Sequence, residues 1–226
     1  DLDAIESAIT LGGIDVLLII HYFGFIQVDL QALKVLCRHH GVALVEDCAH
    51  CCFLSEGKHG MTGDYSFYSL HKFFPTETGG VLRVNVETEV AQGEFEPCDR
   101  SVLEQLLRTD IPVINRKRRE NYALLENALW GVVGATPLWR LDEQTIPHNF
   151  PLRIAGGRRE KLYFYLQEHD LITIALYYRL VDELDREQYP ASFEVSDSIL
   201  NLPVHQDTKR EELEALVEQI EKFIQS

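Results

Sequence analysis

The chain has 226 residues, 46% hydrophobic and 25% charged, with a formal net charge of −15. That length buries a substantial core in one or two domains, and the composition is that of an ordinary globular protein. The acidic excess argues against nucleic acid or an anionic membrane as partner, and no apolar run reaches the roughly 20 residues of a membrane helix.

Five cysteines, Cys37, Cys48, Cys51, Cys52 and Cys98, are an odd number and do not form a disulfide framework. Cys48, His50, Cys51 and Cys52 lie close together. No second ligand cluster is spaced to close a tetrahedral site around them. They read as small buried residues of a reducing compartment, so a cytoplasmic protein without a metal is expected.

In chain order, Leu2, Ile5 and Ile9 predict a short amphipathic helix over residues 2–9. Residues 14–20 are an unbroken branched apolar run, the pattern of a strand buried on both faces, and Gly24 breaks it. Asp29 reads as an N-cap. Leu30, Leu33, Leu36 and Cys37 then give a helical stripe to His40, and Gly41 stops it. Residues 42–45 are the next strand, ending on Glu46 and Asp47. Strand, helix and strand joined by short loops make the two strands parallel.

Residues 65–69 and 80–84 are further strands, with Lys72 between them in a Lys-Phe-Phe-Pro turn. Pro75 forbids a long helix there. Gly79 and Gly80 let the backbone pass close to a neighbouring strand or to a cofactor. Residues 86–97 are acidic and aperiodic, a surface loop or linker. Helices are predicted over 101–108 and 115–130. Arg116, Lys117, Arg118 and Arg119 open the second and read as a solvated face, with anionic-nucleotide binding as the alternative. A strand over 149–154, a helix over 158–169, a strand over 171–176 and a final helix over 209–224 complete the chain. The alternation is α/β, with a large domain over 1–112 and a smaller one over 113–226.

The chemistry concentrates at Asp47 and Lys72. An Asp at one strand end and a Lys beyond a later strand is the pairing that pyridoxal phosphate chemistry needs. The carboxylate keeps the pyridine nitrogen protonated, and the amine forms a Schiff base with the aldehyde. Neither G-x-G-x-x-G nor G-x-x-x-x-G-K-[ST] occurs, so a generic nucleotide-binding domain is disfavoured.

Glu46-Asp47-Cys48-Ala49-His50, followed by Ser69-Leu70-His71-Lys72 and Gly79-Gly80, resembles the DegT/DnrJ/StrS family of pyridoxal phosphate-dependent sugar aminotransferases. Ile19-Ile20-His21-Tyr22-Phe23-Gly24 and Asn201-Leu202-Pro203-Val204-His205 resemble two further segments of that family. The likeness covers most of the chain except roughly 85–110.

The resemblance implies a fold type I transferase, with a mainly parallel sheet in the large domain and a smaller α/β C-terminal domain. It implies Lys72 as the cofactor-bearing lysine and Asp47 as partner of the ring nitrogen. His50 stands against the cofactor, or is a hydrogen-bonded core histidine. The family has a serine five residues before its lysine. Here Ser69 and Ser66 flank that place, and Ser69 is the favoured phosphate contact. The implied reaction moves an amino group, from glutamate as in the family, to a nucleotide-linked keto-sugar within a homodimer. About a hundred further residues, with more of the phosphate grip, are expected ahead of Asp1. The alternative is a non-catalytic relative with a structural or regulatory role.

Overall fold

The computed structural model describes residues 2–53, 59–87 and 97–226. The acidic stretch 86–97 falls largely outside them. The chain forms two compact units. One comprises residues 1–114 together with Gln144–His148, and the other Asn115–Glu143 with Asn149–Ser226.

The first unit opens with helix α1 (Leu2–Thr10), strand β1 (Val16–Ile20), helix α2 (Leu30–His40) and strand β2 (Ala43–Asp47). Local chemistry sets these boundaries. The Asp29 carboxylate accepts from the backbone N–H groups of Gln31 and Ala32, and Gly41 ends α2 in the left-handed region at φ 69°. Strands β3 (Tyr65–Ser69) and β4 (Gly80–Val84) complete a four-stranded sheet in the order β1-β2-β3-β4. The first three strands are parallel, and β4 returns antiparallel to β3.

Strand alternation gives this sheet two unlike faces. Leu17, Ile19 and Leu44 turn to one side and pack with Ile9, Leu33 and Cys37 of α1 and α2. The other side carries Val16, Leu18, Ile20, Phe67 and Leu82, all exposed. Below the first face the Lys34 ammonium pairs with the Asp64 carboxylate. That carboxylate also accepts from the Leu44 N–H at 2.7 Å.

Helix α3 (Arg100–Arg108) closes a second cluster in the first unit, made of Leu70, Phe73, Phe74, Val102, Ile114 and Ile146. Gly79, at φ 112°, fits here because a Cβ would stand 3.1 Å from both Leu70 and Val102. The glycine pair therefore serves close packing against neighbouring elements.

Helix α4 (Ile111–Leu129) leads into the second unit. It starts four residues before the expected place, because Pro112 is tolerated in a first helical turn. The unit holds an antiparallel sheet of β5 (Ala135–Pro137), β6 (Asn149–Ile154) and β7 (Ile199–Pro203), with helices α5 (Arg159–Glu168), α6 (Pro190–Ser198) and α7 (Arg210–Gln225). Three expectations change here. The strand over 171–176 reduces to one bridge, Ile174 to Asn201, and Tyr177 turns the chain at φ 61°. Short β5 and the Ser-rich α6 carry no clear periodic pattern and were not foreseen. Arg118 is not on a solvated face: it is 1% exposed, and its Nε donates to Gln206 Oε1 at 2.8 Å. Arg116 and Lys117 do face solvent, beside Glu120.

Burial pushes the Asp64 carboxyl up, but the Lys34 hydrogen bond and the Leu44 N–H outweigh it and hold the group below its ordinary value. A carboxyl lowered on folding adds stability above its unfolded pKa and loses it as pH falls through the folded value. Thermal melts are expected to show that loss in the acid range, below about pH 4. Asp64→Asn flattens this acid limb and lowers stability at neutral pH by about 2–4 kcal/mol, because Lys34 is left buried without its partner.

Candidate active site

Strands β1, β2 and β3 are parallel, so their C-terminal ends share one edge of the sheet, where open α/β sheets bind ligands. Each end delivers a chemical group. After β1 comes His21-Tyr22-Phe23-Gly24. β2 ends on Asp47. A short 3₁₀ turn, Leu70–Lys72, follows β3.

Alternation along β2 sends Glu46 to the buried face and Asp47 to the opposite one. Asp47 pairs in register with Phe67, so Ser69, two residues on, shares the face of Asp47. Glu46 pairs with Ser66, which is fully buried and donates its hydroxyl to Gly60 O at 3.0 Å. Of the two serines, Ser69 stands on the Asp47 side at the strand end. Its Oγ lies 3.2 Å from His71 Nδ1.

Asp47 Oδ1 accepts from the Ala49 N–H at 2.9 Å, which fixes the carboxylate just beyond the strand. Burial lowers the Lys72 amine from its ordinary pKa, and the Asp47 charge partly restores it. Burial of the Tyr22 phenol and the Asp47 charge both raise that group. Asp47, Lys72 and Tyr22 therefore share one electrostatic neighbourhood.

His50 joins them. Burial, and then the Lys72 charge, push its pKa down to about 4. Its Nδ1 accepts from the Phe23 N–H at 3.1 Å, which leaves the proton of the neutral ring on Nε2. His50 stacks on Phe23 at 5.8 Å and on His148 at 4.5 Å, the two imidazoles 5° from parallel. His148 in turn meets Phe73 at 5.7 Å.

Sequence reasoning did not find Phe23 or His148. Phe23 takes a left-handed φ of 57° inside the turn. That conformation costs about 1 kcal/mol or more in a residue other than glycine. It is held because the Phe23 N–H reaches His50, its carbonyl accepts from the His148 N–H at 2.9 Å, and its ring is buried. The next residue must be glycine: a Cβ on Gly24 would stand 2.7 Å from Ile146 O and 3.0 Å from His50 O. His148 arrives from residues far along the chain, and no local signal announces it.

The donor set fits pyridoxal phosphate. It offers an amine whose proton is loosened by burial, a carboxylate beside it, a neutral imidazole and a hydroxyl on the same face.

Comparison with known proteins agrees with this class. The chain matches the DegT/DnrJ/EryC1/StrS aminotransferase family over residues 1–92 and 101–221, and it belongs to that family. A dTDP-3-amino-3,6-dideoxy-alpha-D-galactopyranose transaminase of Aneurinibacillus thermoaerophilus is 22% identical over 239 residues, covering 92% of this chain. The chain spans 65% of that relative's length. Among solved structures, S. venezuelae DesV superposes with a TM-score of 0.80 at 18% identity, covering 100% of this chain and 69% of its own. The sugar aminotransferase Spr1654 of Streptococcus pneumoniae, described as putative and in its PMP form, gives a TM-score of 0.79 at 17% identity. It covers 100% of this chain and 73% of its own. The fold is thus α/β with the sheet of these transferases.

The arrangement predicts the behaviour of His50. In an NMR titration its ring stays neutral from pH 5 to 8 and protonates near pH 4. Lys72→Met removes the nearby positive charge and raises that midpoint, which still stays below the ordinary 6.5 because burial is the larger cause.

Proposed function

We propose that this chain carries the catalytic lysine and carboxylate of a pyridoxal phosphate-dependent aminotransferase acting on a nucleotide-linked keto-sugar. The observation that carries the reading is the convergence of Lys72, Asp47 and His50 at the C-terminal edge of the parallel strands. Glutamate is the proposed amino donor, and a homodimer the proposed assembly.

Lys72, Asp47, His50 and Ser69 would hold the cofactor, which supplies an electron sink for the carbanion formed at the amino donor's α-carbon. Lys72 Nζ would anchor the cofactor covalently and, when free, would accept the donor's α-proton as general base. Its partial burial suits this role, because a lowered pKa leaves more of the amine deprotonated near neutrality. Asp47 would keep the ring nitrogen protonated, and its bond from the Ala49 N–H holds the carboxylate in place. His50 stays neutral and so adds no second cation beside Lys72, while Nε2–H remains available to donate. Ser69 offers its hydroxyl to the phosphate.

The substrate class follows the relative of known activity, a transaminase of a dTDP-linked dideoxy-sugar. At 22% identity that relative supports a nucleotide-linked sugar as the proposed class of substrate and does not name the sugar.

The test is an absorbance spectrum with added pyridoxal phosphate, then borohydride reduction and peptide mapping. A visible band trapped on Lys72 is expected, and Lys72→Ala abolishes it. Amino transfer from glutamate falls by about 10³-fold or more in that variant. Asp47→Asn retains the trapped adduct but lowers kcat by about 10²-fold or more. No band, or label scattered over surface lysines, overturns the reading in favour of a non-catalytic relative.

A further inference from the structure

On the opposite face of the same sheet, behind Asp47, lies a polar cluster that the aminotransferase reading does not use. One donor atom each from His21, Glu46 and Cys48 lies within 4.8 Å of the other two, and all three residues are buried. Cys51 sits beside Cys48, its thiol against that of Cys48. We propose that His21, Glu46 and Cys48 form a buried zinc site with three protein ligands and its fourth position open, which ties the ends of β1 and β2 together.

The ligand types fit. A thiolate, an imidazole and a carboxylate are a borderline-soft set that favours zinc over magnesium or calcium. Zinc bonds of about 2.0–2.3 Å require the widest of these separations to contract by about 1 Å and the 2.8 Å contact between His21 Nε2 and Glu46 Oε2 to open. Cys48 and Cys51 have the Cys-x-x-Cys spacing. The turn between them is tight, with the Cys51 N–H donating to Cys48 O at 2.8 Å. His50, between the two cysteines, turns the other way toward Phe23 and His148 and takes no part.

The Glu46 side of the site is already arranged, while His21 Nδ1 is buried with no hydrogen-bond partner among the described residues. Glu46 Oε1 is held by the N–H groups of Thr62 at 2.9 Å and Gly63 at 2.6 Å. Oε2 accepts from the Gly60 N–H at 3.0 Å and lies 2.8 Å from His21 Nε2. The ion takes its place between Oε2 and Nε2, where a hydrogen bond now stands. Such outer hydrogen bonds fix a carboxylate ligand's orientation. The His21 N–H donates to Asp47 O at 3.0 Å, so the ring is carried on a fixed strand end. With His21, Glu46 and Cys48 at 0–1% exposure, no bulk water competes for the ion.

The charges balance. Cys48 loses its thiol proton to solvent, and the His21 ring proton moves to Nδ1 so that Nε2 binds. The Cys48 thiolate and the Glu46 carboxylate together neutralise the dication. Binding therefore releases one proton per ion and weakens in acid.

Zinc content of the purified chain by elemental analysis, a zinc titration and a cobalt-substitution spectrum decide the matter. The expected result is one zinc per chain and a cobalt complex with tetrahedral visible bands and sulfur-to-cobalt charge transfer. Cys48→Ala loses the charge-transfer band and weakens binding by about 100-fold or more, and Cys51→Ala keeps the band. A His39→Ala/His40→Ala variant, altered on the surface, still binds. Absence of stoichiometric zinc overturns the proposal. So does zinc that survives Cys48→Ala with a cobalt complex lacking sulfur bands, since surface histidines then hold it. If Cys48→Ala fails to fold by circular dichroism, the wild-type cobalt spectrum alone decides by the presence or absence of the sulfur bands. None of these readouts depends on pyridoxal phosphate, so this site and the proposed activity stand or fall separately.

Discussion

Glu46 is the group on which the first unit depends. A fully buried carboxylate is tolerated only where donors replace its lost water. Here Gly60, Thr62 and Gly63 give it three backbone N–H groups, and His21 lies against it from the end of β1. Burial alone would raise this carboxyl. The His21 bond and the Gly63 and Gly60 N–H groups more than reverse that and hold it below its ordinary value. The loop after residue 58 is wrapped around this charge. Gly63 is required there because a Cβ would stand 3.0 Å from the Glu46 side chain.

The neighbouring residue inherits that order. Because successive side chains on a strand point to opposite faces, anchoring Glu46 inward fixes Asp47 outward. Parallel pairing then sets which partners share each face: Glu46 with Ser66, Asp47 with Phe67 and so with Ser69. A slip of one residue would exchange the two sets, and the inward anchor opposes that slip.

Around Asp47 the chain places rings in preference to charges. Phe23, His50, His148 and Phe73 form a run of stacked and tilted rings, and the strained turn at Phe23 is held by two hydrogen bonds to that run. Burial in this apolar setting keeps His50 neutral and loosens the Lys72 proton. Stacking and electrostatics thus act on the same few groups.

The sequence alone determined the elements whose signals are local. The Asp29 cap, the apolar stripe of α2, the Gly41 stop and the branched run of β1 each rest on interactions within a few residues. The same locality made the Glu46-Asp47 and Lys72 segments legible as strand ends, and made their resemblance to the aminotransferase family visible. What local pattern lacked was left to the tertiary structure. The helix over Pro190–Ser198 has no apolar period, and the expected strand over 171–176 ended at Tyr177 because its partner Asn201 offers a single bridge. Arg118 read as solvated because its partner Gln206 lies 88 residues away. His148 reaches His50 across an equally remote stretch, and His21 meets Glu46 and Cys48 only when two parallel strands lie side by side. Chain proximity dictates caps, turns and stripes. Which buried groups share one carboxylate, one ring stack or one cluster of donors is decided by strand register.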